Sequence, residues 1–379
     1  MLDILKKGDE KKVEYLELIY DLIFVYIIGR SNSLLHTVVN GFVAPSAYLT
    51  YILLTLVILQ IWYLTVIFIN KFGSNGIQET VAIFINMYLL YYMAQSIRED
   101  WHAYYYRFCI SWALILLNIA LQYLIKLKKV GSDNSSAVRQ IRRNVLILTI
   151  QIAIILGSLV LFKFTGFPAA VLAMIVGVLI VMADKKSNEL VMGDFPHLTE
   201  RIMLYVVFTF GEMIIAITEY FEGGFSFNTV YFSLCAFLII AGLFLTYGFM
   251  YDNVINREMQ TSGTEYMFIH IFLIVALNNI TAALEYMRMD EVNALYKTLF
   301  IVVSFAVYFI TLFSLEKYAT QRCKGSKKFF ITVSVMSVLF MALITAVYRN
   351  SYLSIALSVV YIYSMFIYLI VSVRRANQA

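Results

Sequence analysis

Hydrophobic and polar positions separate along this chain by whole segments, with apolar runs of about twenty residues divided by short polar connections. Twelve such runs are predicted as helices, over roughly 13–36, 47–70, 78–97, 103–125, 143–163, 167–183, 199–221, 227–251, 265–286, 294–315, 328–348 and 352–373. Each is near the length that a ~30 Å hydrocarbon core requires at about 1.5 Å per residue, and the sixth is short enough to demand a steep helix. The pattern predicts an all-α fold, a polytopic transmembrane helix bundle of about twelve spans, forming a single integral membrane domain over residues 1–379. Two six-helix halves, 13–183 and 199–373, joined by a cytoplasmic loop, fit the count; similarity between them is too faint to count as a repeat.

Composition agrees. Of 379 residues, 61% are hydrophobic and 14% charged, whereas a soluble domain averages about 25% charged residues. Pro45, Pro168 and Pro196 all fall at ends of predicted helices, which counts against the proline-broken spans of some transporters and leaves Gly29 and Gly211 as candidate breaks. The net charge of +5 follows topology. With the N-terminus inside, about 21 of the 29 Lys and Arg fall in cytoplasmic segments and about five outside. Lys126, Lys128, Lys129, Arg139, Arg142 and Arg143 hold the 126–143 loop inside, and Arg374 and Arg375 hold the C-terminus there. The expected arrangement is therefore a multipass membrane protein with both termini cytoplasmic, with membrane lipids as partners and no nucleic acid. The N-terminal segment shows neither an apolar h-region nor a cleavage site, so the first helix is expected to direct insertion.

Ionisable residues inside the spans carry the candidate chemistry, because a charge at the bilayer centre costs at least about 2.5–3.5 kcal/mol. In the first span Glu14, Glu17 and Asp21 are spaced three and four apart and share one face. Glu14 and Glu17 have an adequate explanation in the helix dipole and in nearby Lys11 and Lys12. Asp21, about 12 Å deep, is too far in for that. In the seventh span Arg201 and Glu212 are eleven residues apart, about 20° from alignment, and Glu219 continues the stripe past Tyr205 and Phe208. Glu212 lies about 15 Å in, close to the depth of Asp21. Arg30 projects from the opposite side of its helix and is expected to snorkel. The midplane acids read either as proton- or cation-coupling groups or as halves of permanent ion pairs with a neighbouring helix.

A second set gathers at the expected cytoplasmic interface: His197 in a loop after Pro196, Glu200 and Arg201 at the next helix start, Asp252, and His270 early in the ninth span. These form a polar vestibule beneath Glu212, or else cap and bridge ordinary helix ends. Asn278 and Asn279 read as interhelical hydrogen bonds. Cys109, Cys235 and Cys323 are far apart, and the four histidines occupy four different segments, so no metal site and no cofactor is expected. Phosphate-binding glycine loops, zincin motifs and serine-centred elbows are all missing from the sequence, so an enzyme of soluble type has no support.

Glu17-Leu-Ile-Tyr-Asp21-Leu-Ile-Phe-Val, His197-Leu-Thr-Glu200-Arg201, Phe210-Gly211-Glu212, Ala216-Ile217, Tyr251-Asp252 and His270 occur in this order over about two thirds of the chain. In these residues the chain resembles the bacterial low-temperature-requirement A family. The ninth span departs from it, lacking the proline and glycine that follow the histidine there. The resemblance implies a multipass protein of the bacterial plasma membrane connected by name with growth in the cold, and it implies no biochemical activity. Three functions compete: a proton- or cation-coupled translocator of an unknown small molecule or ion, using Asp21 and Glu212 with Glu17, Arg201 and Glu219 beside them; a membrane-embedded enzyme or handling protein for lipid head groups, using the interfacial set; and a structural or sensory protein with buried ion pairs. The first is favoured.

Overall fold

A computed structural model describes residues 13–74, 76–98, 101–130, 135–221 and 224–378. All twelve predicted spans are helical. The helices are α1 (Tyr15–Ser31), α2 (Pro45–Phe72), α3 (Ile77–Ala94), α4 (Trp101–Val130), α5 (Ser135–Thr165), α6 (Val171–Ala183), the short α7 (Lys185–Asn188), α8 (Phe195–Ala216), α9 (Phe227–Asn253), α10 (Thr264–Arg288), α11 (Ala294–Ser314), α12 (Lys327–Ala346) and α13 (Ser351–Gln378). Among the described residues nine helices are long and apolar enough to cross a membrane. Of the other three predicted spans, α6 has only 13 residues, and α8 carries Glu200, Arg201 and Glu212 within its length. Neither Gly29 nor Gly211 breaks its helix.

The chain divides into two compact units. Unit 1 holds residues 1–31, 50–205 and 258–265, and unit 2 holds 32–49, 206–257 and 266–379. In unit 1, α3 packs on α1 and α4, and α5 packs on α4 and α6; in unit 2, α13 packs on α9 and α12, and α12 on α11. Helix starts are set by local chemistry. Pro45 opens α2, where its missing N–H costs nothing. Ser226, Asn293 and Ser326 cap α9, α11 and α12 by accepting N–H bonds from the first turn.

One element of unit 2 lies in the connection between the first two predicted spans. Val38–Val39 and Phe42–Val43 pair as a two-stranded hairpin, β1 and β2, around Asn40 and Gly41, both at positive φ. Asn-Gly is the pair that a tight hairpin turn of this hand favours. The Gly41 carbonyl then accepts from Asn293 N at 2.9 Å, so the hairpin abuts the start of α11.

α1 shows how the membrane inverts the usual pattern. Its buried stripe is Glu17, Tyr20, Asp21, Phe24, Ile27, Ile28 and Ser31, at helical spacing. Ile19, Leu22 and Tyr26 on the other side are exposed. Carboxylates therefore face the protein interior and apolar side chains face outward, the arrangement that a lipid surround selects.

Candidate functional site

The first residues of α8 determine the site. Expected in a loop, His197 instead stands in the first turn of α8. Asp194 Oδ1 accepts from His197 N at 3.0 Å and the Asp194 carbonyl from Leu198 N, so Asp194 acts as the helix cap. Pro196 falls in the first turn, where a missing N–H is tolerated. The earlier start carries His197 and Arg201, four residues apart, onto one face toward α1.

Arg201 is completely buried and holds two carboxylates of α1. Its Nε and Nη2 donate to Asp21 Oδ2 at 3.0 Å and Oδ1 at 2.9 Å, a two-pronged contact, while Nη1 donates to Glu17 Oε2 at 2.6 Å. Planar guanidinium geometry suits such a contact. Trp62 of α2 donates its indole Nε1–H to Asp21 Oδ1 at 2.9 Å. Tyr205, one turn beyond Arg201, packs its ring 4.4 Å from that of Trp62. Asp21 is 0% exposed and Glu17 2%. Glu17 does stand in the first turn of α1, as expected, but its carboxylate is held by Arg201 inside the protein; Lys11 and Lys12, its expected companions, lie outside the described residues.

His197 completes the cluster. Its Nε2 stands 3.3 Å from Glu17 Oε2, too poorly aligned to count as a hydrogen bond. Its Nδ1 is 3.1 Å from Asn70 Nδ2, which also donates to the Asp194 carbonyl at 2.7 Å. An amide nitrogen can only donate, so Nδ1 accepts and the proton of a neutral imidazole sits on Nε2, toward Glu17. Asn70 in turn fits because residue 193 is glycine: a Cβ there would stand 1.9 Å from Asn70 Oδ1.

Glu17, Asp21, Arg201 and a neutral His197 sum to one negative charge, and one added proton on Glu17 or His197 brings the four to zero. The arrangement can hold a proton between Glu17 Oε2 and His197 Nε2 while Asp21 keeps Arg201 in place. Among the described residues no three His, Cys, Asp or Glu side chains group as metal ligands, and the guanidinium fills the space between the two carboxylates.

The other candidates lie elsewhere. Glu200 is half-buried at the start of α8. Glu212 belongs to unit 2, is half-buried, and makes no hydrogen bond or ion pair among the described residues. The Glu219 side chain lies outside the described residues. Asp252 is exposed at the end of α9. His270 is completely buried in unit 2, with Nδ1 2.8 Å from the Tyr266 carbonyl and Nε2 3.3 Å from the Tyr247 hydroxyl. Sequence reasoning passed over Trp62 and Asn70, polar-tipped residues in an apolar helix. Their signal is that a buried indole N–H or amide needs a partner.

Apolar helices that turn carboxylates inward and alkyl side chains outward define an all-helical, multipass membrane protein. Within that class, the bacterial low temperature requirement A protein (LtrA) family model matches residues 12–363, and the chain belongs to that family. The match spans α1 through most of α13 and so includes every member of the cluster. No curated protein matches the chain.

Proposed function

We propose that the chain is a proton-coupled translocator in which the proton resides at the Glu17–His197 contact and Asp21–Arg201 is the fixed pair beside it. The observation that carries this reading is the composition of the buried cluster: two carboxylates, one guanidinium and one imidazole, with a histidine nitrogen 3.3 Å from a carboxylate oxygen. Buried ionisable groups in membrane spans are costly to keep and mark ion or proton pathways. Glu212, half-buried in the part of α8 that belongs to unit 2, is a second, separate titratable candidate. The substrate is a small molecule or ion.

Head-group chemistry at the interfacial set has less support. His197, Arg201 and His270 are all buried, and both ring nitrogens of His270 are engaged within the protein. Of that set only Asp252 is exposed.

The family name connects these proteins with growth at low temperature, which supplies an assay: complementation in the cold of a bacterial strain lacking its own family member. Glu17→Gln and His197→Gln each keep side-chain bulk and remove the proton site; Glu212→Gln removes the second. All three are expected to insert, to melt within a few degrees of the parent protein in detergent, and to fail to complement. Full complementation by a well-folded Glu17→Gln or His197→Gln protein would falsify the proton-site assignment.

A further inference from the structure

Unit 2 contains a cavity of about 330 Å³ where α9, α11 and α13 finish and α12 begins. That volume is at the lower end of the range for ligand pockets. Its wall is apolar, formed by Met250, Phe313, Phe329, Tyr368, Leu369 and Val373. Ring packing fixes the wall: Phe329 stacks on Tyr368 at 5.6 Å and meets Phe313 edge-on at 5.3 Å. The rim is cationic, with Lys324, Lys328 and Arg375 against a single acid, Glu316. All three cations are exposed and none makes an ion pair among the described residues. The start of α12 adds donors. Ser326 accepts from Phe329 N and Phe330 N, and the helix itself offers no acceptor to the N–H groups of Lys327 and Lys328.

Apolar depth and a cationic rim lie together at the ends of membrane-spanning helices, on the side that the lysine and arginine distribution assigns to the cytoplasm. We infer that this cavity is a binding site for an anionic phospholipid, whose phosphate sits among Lys324, Lys328, Arg375 and the start of α12 while an acyl chain lies along Phe313, Phe329 and Leu369. Charge complementarity selects the anion. A free phosphate would use the rim and leave the apolar wall empty, whereas a zwitterionic lipid would bring its own cation against the rim. Neither Glu17, Asp21, His197, Arg201 nor Glu212 lines the cavity, so the inference stands apart from the translocator reading.

The test uses the purified full-length protein in neutral detergent, with phosphatidylglycerol, phosphatidylcholine or inorganic phosphate added. Melting temperature and native mass spectrometry are the readouts. Phosphatidylglycerol is expected to raise the melting temperature and remain bound, and the other two to do neither. Combining Lys324→Gln, Lys328→Gln and Arg375→Gln should weaken phosphatidylglycerol binding about 100-fold, at roughly a factor of five per cation. Ser372→Leu adds bulk at the cavity lining without touching the cations, and should weaken the lipid as well. Equal stabilisation by phosphatidylcholine, or unchanged phosphatidylglycerol affinity in the triple variant, overturns the inference. Stabilisation by inorganic phosphate equal to that by phosphatidylglycerol assigns the rim to free anions and overturns it too. Should the triple variant unfold, the head-group comparison on the parent protein and Ser372→Leu decides.

Discussion

Two arginines of unit 1, Arg201 and Arg143, each meet an aspartate, and the two sites do opposite things. Arg143 is at the edge: its Nε stands 3.2 Å from Asp184 Oδ2, and Asp184 is almost half exposed. The rest of its guanidinium reaches Asn188 Oδ1 at 2.7 Å and the carbonyls of Ile180 and Asp184 at 3.2 and 3.4 Å. Arg143 thus covers carbonyls that the end of α6 leaves open. Arg201 lies wholly inside, and its guanidinium donates to two carboxylates, Asp21 and Glu17. Removing water from charges costs several kcal/mol per ion, so a buried cluster of this kind is weak evidence for stability. The edge pair has a sufficient structural role. The buried cluster has no such sufficient role, and the proton handling proposed above would give it one.

The contrast breaks most directly at Arg201. Arg201→Met leaves Glu17 and Asp21 buried without their cation and should destabilise the protein by about 3–5 kcal/mol. Thermal unfolding in detergent is the measurement, with Arg143→Met as the comparison. A drop no larger for Arg201→Met than for Arg143→Met would remove the distinction. Next in size is Trp62→Phe, which keeps the ring beside Tyr205 but deletes the indole donor to Asp21; a hydrogen bond to a charged group contributes about 1.5–3 kcal/mol. An unchanged melting temperature would show that Asp21 does not need this donor.

Gly193→Ala probes the histidine side. The new Cβ would collide with Asn70 Oδ1, so the amide must shift and release His197 Nδ1. Overpacking of this kind costs roughly 1–3 kcal/mol, and the lower end applies because the colliding atom is a side-chain tip. The tautomer of His197, read from the nitrogen chemical shifts of labelled imidazole, should change between parent and variant. Identical nitrogen shifts would mean that Asn70 does not set the tautomer.

The sequence made the helices legible and the site only half so. Twelve apolar runs became twelve helices because about twenty apolar residues carry a period-independent signal. Asp21 and Arg201 stood out by depth and charge. Their pairing did not, since 180 positions separate them and no local rule joins α1 to α8. Glu17 was masked by a sufficient local explanation, an acid near a helix start. His197 was misplaced because Pro196 looked like a boundary, although proline is also tolerated within a first turn. Asn40-Gly41 carried a hairpin signal that twenty-residue runs obscured. The eleven-residue spacing of Arg201 and Glu212 aligned them on one stripe, yet one is fully paired and the other is half-buried with no partner among the described residues. Helical phase fixes which residues share a face; what the neighbouring helices bring to that face decides their chemistry.

The smallest effect belongs to the edge pair and is read through pH. Asp184 is held below the ordinary carboxylate range, first because Ser187 donates to it and then because Arg143 is near. A carboxyl whose folded pKa is depressed stabilises the fold above its unfolded pKa and loses that contribution as pH falls through the folded value. Asp184→Asn should therefore melt slightly below the parent at neutral pH. The difference should close as the pH is lowered below about 4, where the unfolded carboxyl is protonated, and be gone once the folded carboxyl is protonated as well. Arg201→Met should instead lie roughly 3–5 kcal/mol below the parent at neutral pH, because its cost is the burial of stranded charge rather than one exposed titration. Melting curves of the two variants at neutral and acidic pH make the comparison. If Asp184→Asn instead lies further below the parent as the pH falls, the edge pair is not what Asp184 contributes to the end of α6.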